Sequence, residues 1–137
     1  MKKHFSILVL LIVIALSGCA NGNVVSPDTT DTKTYDAVIT SPIEGETISS
    51  PLTITGEAKG TWFFEASMPV KLVDQDGNVI VQGNVQAIED WQTTDYVGFE
   101  GTIAFKTDAQ EGQLILQRDN PSGLSENDDE ISIEVKF

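Results

Sequence analysis

The chain has 137 residues, with 21 acidic side chains against 8 basic ones and a formal net charge of −13. Nucleic-acid backbones are bound by clusters of Lys and Arg, so this charge balance argues against a nucleic-acid partner. The length allows one domain with a tail, and a content of 40% hydrophobic and 21% charged residues is typical of a globular chain.

Histidine and cysteine, which are common catalytic and metal-binding residues, occur once each in the chain. His4 and Cys19 are the single histidine and the single cysteine, and both lie near the N-terminus. If that region is an export signal, the folded part has no imidazole and no free thiol. This excludes a Ser-His-Asp triad, a Cys-His pair, a zinc site built on His or Cys, and an internal disulfide. We therefore expect a protein that is not an enzyme.

Residues 1–18 have the order of a secretory signal peptide. Lys2 and Lys3 form a basic start, and an apolar run from Phe5 to Leu16 follows, interrupted only by Ser6. As a helix the run would span roughly 18 Å, which is too short for a hydrocarbon core of about 30 Å. We expect it to be removed rather than to remain as a spanning helix.

The next feature is the tetrapeptide Leu16-Ser17-Gly18-Cys19, which resembles the lipobox of bacterial lipoproteins. The resemblance implies cleavage before Cys19 and a diacylglycerol on its sulfur. The two acyl chains of this lipid are enough for a stable membrane anchor. Its alternative is a plain secreted protein with a chance cysteine. Ala20 rather than Asp follows the cysteine, which implies the outer membrane in a two-membrane cell and the plasma membrane in a one-membrane cell.

Residues 20–36 are small and polar without an apolar period, which predicts a flexible linker. Together with the lipidated Cys19 they make up residues 19–36, and the folded domain is expected over residues 37–137. Without residues 1–18 the chain keeps 6 basic and 21 acidic groups, a net charge of −15. Such a charge keeps a tethered domain soluble and repels anionic head groups.

After residue 36 the pattern is one of short strands separated by Gly, Pro, Asn and Asp. Ile131, Ile133, Val135 and Phe137 alternate with polar residues, which predicts one buried and one wet face. An Asp76-Gly77 pair between apolar segments predicts a hairpin. The predicted strands cover residues 37–40, 52–56, 70–73, 78–88 with a bulge at Gly83, 99–105, 113–118 and 131–137. Seven strands predict an all-β sandwich.

The order of several segments carries a family resemblance. These segments are Ser41-Pro42 to Gly45, Ser50 to Ala58, Trp62 to Glu65 and Pro69 to Gly77, followed by Trp91, Phe99 and Phe105. The chain resembles the immunoglobulin-like domain of bacterial spore germination over roughly residues 37–137. The resemblance implies an immunoglobulin-like sandwich that mediates contacts in the cell envelope and has no enzymatic residues to carry over.

Three aromatic residues are candidates for contact with a ligand or partner. Trp62-Phe63-Phe64 would place rings on both faces of a strand, so at least one ring should be exposed. An exposed Trp62 or Phe63 could stack on a sugar or enter a partner's pocket. Alternatively, Trp62 and Phe64 fill the core and Phe63 packs under a loop. Trp91 is open to the same two interpretations.

The acidic segment 125–130 and the residues before Pro121 could supply oxygen ligands for calcium. The weak candidates are Asp119, Glu126, Asp128, Asp129 and Glu130. The alternative is a solvated charge run, because the spacing matches no EF-hand loop. Asp74 and Asp76 are explained by the hairpin. Beyond the lipid on Cys19 we expect no cofactor.

These observations predict an envelope lipoprotein that presents an immunoglobulin-like binding or assembly module at the outer face of a bacterial membrane. Its partner would be an envelope protein or a cell-wall polymer. Two alternatives remain. One is a carbohydrate-binding accessory that acts on peptidoglycan or surface polysaccharide through Trp62 or Trp91, and the other is a calcium-dependent adhesion module.

Overall fold

The computed structural model describes residues 35–137, which lie in one compact unit. The predicted signal peptide, Cys19 and nearly all of the linker lie outside the described residues. Within 35–137, no helix is long and apolar enough to cross a membrane. Over this range the structure has eight strands: β1 (Ala37–Ser41), β2 (Glu46–Thr47), β3 (Leu52–Lys59), β4 (Ser67–Asp74), β5 (Val79–Ala87), β6 (Tyr96–Ile103), β7 (Glu111–Gln117) and β8 (Glu130–Lys136).

The strands form one curled sheet in the order β1-β3-β6-β5-β4-β7-β8-β2. The half made of β1, β3 and β6 packs against the half made of β4, β7 and β8, and their inward side chains share a single core. The two halves are joined along one side by a short pairing of β5 with β6 at Gln86 and Ala87. The predicted all-β immunoglobulin-like sandwich is therefore confirmed.

The alternation of apolar and polar residues explains why these segments are strands. Leu52, Ile54 and Ala58 of β3 are buried, whereas Thr53 and Glu57 between them are exposed. The predicted hairpin is also confirmed, since β4 and β5 are antiparallel and Gly77 donates to the carbonyl of Asp74 in the turn.

Two details of the prediction were wrong. The sheet has an eighth strand, β2, whose two residues are both exposed and show no alternation. The bulge in β5 does not lie at Gly83, which pairs regularly with Val70. The register instead shifts between Leu72 and Val73, so that Ile80 is the additional residue. The irregularity therefore lies close to the turn, where the hairpin begins.

The core is held by packing of apolar side chains. Among residues 35–137 no polar or charged side chain is buried, and the largest fully buried ones include Phe99, Ile54 and Leu72. The chain's single cysteine precedes this domain, so no disulfide within it joins the two halves. Apolar burial at about 25 cal/mol per Å² is the main stabilising contribution.

Candidate functional site

The aromatic segment lies where the chain crosses from β3 to β4. Gly60–Trp62 forms a 3-10 turn, and the side chains of Trp62 and Phe63 are only 2% and 4% exposed, whereas Phe64 is 42% exposed. The expectation of one exposed ring is confirmed, but the exposed ring is Phe64. The interpretation in which Trp62 or Phe63 is exposed is wrong, and so is the one that buries Phe64 in the core.

Trp91 is half-buried and packs against the edge of the core from the loop between β5 and β6. Its loop lies against Gly60, where a Cβ atom would overlap the carbonyl oxygens of Trp91 and Thr93. The loop is closed by a hydrogen bond from the Thr93 amide to the Trp91 carbonyl, at 2.8 Å. Trp91, Gln92 and Thr93 border a shallow, open depression. Of the three aromatic candidates, Trp91 alone is partly exposed.

Three of the five acidic candidates make separate local hydrogen bonds. Asp128 accepts a hydrogen bond from Asn120 Nδ2 at 2.7 Å, Asp129 Oδ1 accepts one from the Glu130 amide, and Glu130 accepts one from Gln117 Nε2. In the described part of the chain, no group of three or more His, Cys, Asp or Glu residues could hold a metal ion. Asp119, Asp128, Asp129 and Glu130 line one open depression, and Glu126 is not among its lining residues. These side chains do not form a metal-ligand group among the described residues.

The carboxylate of Asp74 organises the β4–β5 turn. Its Oδ1 accepts the amides of Asp76 at 2.9 Å and Asn78 at 2.8 Å, while Oδ2 accepts Asn78 Nδ2 at 2.9 Å. The hydrogen bond from the Asn78 side chain is the largest cause that lowers the pKa of Asp74 below its ordinary value of 3.8. Asp74 therefore has a structural role.

A groove opens on the side of the sandwich where β1 and β8 lie next to each other without pairing. We call it the edge groove. It is an open depression of about 420 Å³ lined by Tyr35, Ala37, Val38, Ile39, Glu130, Ile131, Ser132 and Ile133. Ile131 and Ile133 face inwards yet are only half-buried, whereas Val135 on the same face of β8 is 1% exposed. β2 pairs with β8 only at Val135 and Lys136, so Ile131 and Ile133 lie on a stretch of β8 that β2 does not border.

The hydrogen-bonding pattern shows which backbone groups of β8 point into the edge groove. The carbonyls of Glu134 and Lys136 accept amides next to β2, from Gly45 at 2.7 Å and Ile48 at 2.8 Å. Along an antiparallel strand the N–H and C=O groups of successive residues point alternately to the two sides of the strand. The N–H and C=O of Ser132 therefore point to the same side of β8 as those of Glu134 and Lys136. Among residues 35–137 no strand pairs with Ser132 there.

The opposite wall of the groove has a matching edge. The Asp36 carbonyl accepts the Lys59 amide at 2.7 Å, which fixes the alternation of β1 relative to β3. Ala37 and Ile39 therefore direct their backbone N–H and C=O groups away from β3 and towards the groove, while their side chains are buried in the core. The edge groove thus combines backbone donors and acceptors with apolar side chains.

The surface of the domain is strongly acidic. Of the chain's 21 acidic and 8 basic residues, 19 and 5 lie within residues 35–137, a net charge of −14. Glu130 lines the edge groove, and Asp36, Asp129 and Glu134 are next to residues that line it. One of the five cations, Lys59, lies over the ring of Tyr96, with Nζ 4.3 Å from the ring centroid.

Comparison with known families agrees with this architecture. Residues 36–125 match the model of the immunoglobulin-like domain of bacterial spore germination. The chain belongs to this family. No curated protein matches the chain. The match to the spore-germination family includes β1 to β7, the aromatic segment and Trp91, and it ends before β8 begins at Glu130.

Membership of the spore-germination family leaves the edge groove without a predicted role, because one of its walls, β8, lies beyond the matched residues. The sequence predicted the β8 strand and its inward residues Ile131 and Ile133. It did not single out Ser132 as a groove residue, because the exposure of its backbone depends on which strands are neighbours. The signal that could have pointed to it was the shortness of the segment between Gly45 and Ile48, which can cover only one end of β8.

Proposed function

We propose that this chain is an exported lipoprotein that holds a non-catalytic immunoglobulin-like binding module at the outer face of a bacterial membrane. The observation that carries the proposal is the position of Cys19, directly after Leu16-Ser17-Gly18 and a twelve-residue apolar run that a basic start precedes. The family supports the module, since the chain has the immunoglobulin-like domain of bacterial spore germination over residues 36–125.

The spacing between the cysteine and the domain fits such a role. Residues 20–36 are polar and separate Cys19 from β1, which begins at Ala37. A flexible coil of this length reaches roughly 20 to 25 Å. The net charge of −15 on the chain after residue 18 repels anionic head groups. The domain would therefore stay near the membrane while its faces remain accessible to partners.

The non-catalytic part of the proposal is supported by residue types. His4 and Cys19, the chain's single imidazole and single thiol, both precede the domain. A general acid or base with a raised pKa needs an apolar pocket around its carboxyl group, and within residues 35–137 the carboxylates lie outside the buried core. These features favour binding over group-transfer chemistry.

Metabolic labelling with a palmitate analogue tests the anchor. The wild-type chain is expected to incorporate the label, and Cys19→Ala is expected to lose it, because the sulfur that carries the diacylglycerol is gone. Ser17→Ala is the matched control, since it keeps a small residue before the cysteine and is expected to label like the wild type. Equal labelling of the wild type and Cys19→Ala would contradict the proposal.

A second candidate function is carbohydrate binding through Trp91, which the partly exposed position of its ring in an open depression favours. Tryptophan rings bind sugars by stacking. The buried Trp62 would obscure the signal, so the fluorescence titration with soluble wall fragments is made in Trp62→Phe, where Trp91 is the one remaining tryptophan. A saturable change in emission supports this function, and constant emission argues for a protein partner.

A further inference from the structure

The edge groove has the chemistry of a site for an extended peptide. Its polar groups are the backbone N–H and C=O of Ser132 on one wall and of Ala37 and Ile39 on the other. Its apolar groups are side chains two residues apart, Ile131 and Ile133, which stay half-buried. Free strand edges bind added strands through main-chain hydrogen bonds, and pockets for alternate side chains add specificity.

The length of free edge on β8 sets the size of the ligand. Glu134 is already engaged, since its amide donates to Glu44 Oε2 at 3.2 Å and its carbonyl accepts the Gly45 amide. The Glu130 amide donates to Asp129 Oδ1 at 3.0 Å. The free edge therefore centres on Ser132, and it can pair with a short segment rather than with a long strand.

The charge around the edge groove selects the ligand's side chains. Asp36, Asp129, Glu130 and Glu134 lie on or beside its walls. Like charges opposite each other on paired strands are destabilising, and charged edges are a means by which proteins avoid pairing with their own copies. A second copy would bring its own net charge of −14 to this edge, whereas Lys or Arg residues in the added strand would be attracted to it.

We propose that the edge groove binds a short, extended, basic segment of another envelope protein, which adds to β8 at Ser132 as an extra strand. The proposal rests on the proposed function for the location of the partner. Apolar residues of the added segment cover Ile131 and Ile133, and its alternate Lys or Arg residues lie near Glu130 and Glu134. Binding therefore completes the side of the sandwich that β2 covers only in part.

The test uses the full chain in detergent micelles and a fluorescent peptide of alternating valine and lysine, with binding measured by anisotropy against empty micelles. Ser132→Pro removes the amide that points into the groove. It leaves the bonds to β7 in place, because Ile131 and Ile133 make those. We expect about a tenfold or greater loss of affinity, the equivalent of one or two hydrogen bonds. Ser132→Ala keeps the amide and should bind like the wild type.

If Ser132→Pro does not fold, binding of two altered peptides to the wild type tests the proposal. The same peptide with N-methyl groups on alternate amides cannot form the ladder, and it should bind the wild type at least about tenfold more weakly. A peptide with glutamate in place of lysine should not bind. Undiminished binding by Ser132→Pro, by the N-methylated peptide or by the glutamate peptide overturns the proposal, as does a wild type that binds no peptide.

Two further results separate the proposal from its competitors. A wild-type dimer that Ser132→Pro converts to a monomer in sedimentation would overturn it in favour of a second copy at the groove. Peptide binding that persists in Cys19→Ala, together with unchanged palmitate labelling of that variant, would overturn the lipoprotein function alone. The two failures are therefore distinguishable.

Discussion

Gly56 lies in β3 where the backbone of β1 and the ring of Phe99 both approach closely. A Cβ atom there would overlap the carbonyl oxygen of Val38 and the Phe99 ring. Gly83 of β5 is different, since a Cβ atom would meet only a methyl group of Ile103, at 2.9 Å. A backbone oxygen held in a strand cannot move as freely as a side-chain methyl group.

We predict that Gly56→Ala lowers the free energy of unfolding by about 2 kcal/mol, within the range measured for overpacked cores. Gly83→Ala should cost less than Gly56→Ala, because its added methyl group would meet one side-chain atom of Ile103 and no backbone atom. Urea denaturation followed by circular dichroism measures both. Equal losses in the two variants would show that the close approach at Gly56 is not a determinant of stability.

Asp74 makes the β4–β5 turn sensitive to acid. The hydrogen bonds from Asn78 and Asp76 favour its charged form and lower its pKa in the folded state below 3.8. A carboxyl group with a depressed folded pKa contributes stability above its unfolded pKa, and the contribution disappears as the pH falls through the folded value. Its effect on stability is therefore complete near neutral pH and is lost in acid.

We predict that Asp74→Asn destabilises the domain at neutral pH and that its difference from the wild type shrinks as the pH is lowered below 3.8. The asparagine cannot titrate, so the pH dependence comes from the wild-type carboxylate. Asp76→Asn removes a charge from the same turn but leaves the Asp74 hydrogen bonds, and serves as the control. Thermal melts across the acid range measure the effect. A constant difference between the wild type and Asp74→Asn would contradict it.

At the scale of elements, the 3-10 turn after β3 positions the loop that carries Trp91. The Cα of Gly60 lies close to the carbonyl oxygens of Trp91 and Thr93, where a Cβ atom would not fit. The Gly60 amide donates a hydrogen bond to the Asp95 carbonyl at 3.0 Å. These contacts hold the β5–β6 loop against the end of β3. A side chain added at Gly60 is therefore expected to move the loop and with it Trp91.

We predict that Gly60→Ala displaces the loop and costs about 2 kcal/mol of unfolding free energy. In a Trp62→Phe background, the emission of Trp91 should shift to longer wavelength as its ring becomes more exposed to water. Gly98→Ala is the control, because the close contacts of a Cβ atom there are side-chain atoms of the exposed Ile88, and the Gly56 carbonyl oxygen is at an ordinary 4.0 Å. An unchanged Trp91 spectrum in Gly60→Ala would show that the turn does not position the loop.

The strands could be predicted because alternation is a local property of sequence. The alternation of Leu52, Ile54 and Gly56 with threonines predicts β3, and the Asp-Gly pair predicts the turn after Asp74. β2 could not be found this way, since Glu46 and Thr47 are both exposed and are strand residues only because β8 pairs with them. The position of the bulge in β5 could not be predicted from Gly83 either. The register shift lies at Ile80, close to the turn, and no glycine marks it.

The candidate site was less predictable because burial depends on tertiary neighbours. Trp62 and Phe63 are adjacent yet both buried, because the 3-10 turn Gly60–Trp62 ends between them and interrupts the alternation expected of a regular strand. The edge groove was not predictable at all, since it exists where β1 and β8 lie side by side without pairing, and strand order is a property of the whole sheet.

At the scale of the whole molecule, charge and architecture favour a tethered binding module. The domain's net charge of −14 disfavours self-association and attraction to anionic membranes. Its sheet is joined on one side by β5 and β6 and is open on the other at the edge groove. The acidic, partly open side is where we propose that a basic partner adds.

The intact mass of the protein purified from membranes is the decisive test of the proposed lipid anchor on Cys19. The proposed anchor predicts a chain that starts at Cys19 and carries the added mass of a diacylglycerol, with the acyl chains on the N-terminal residue in fragmentation. A chain that begins at Met1 with an unmodified thiol at Cys19 would contradict it, and with it the proposed anchor and its place in the cell envelope.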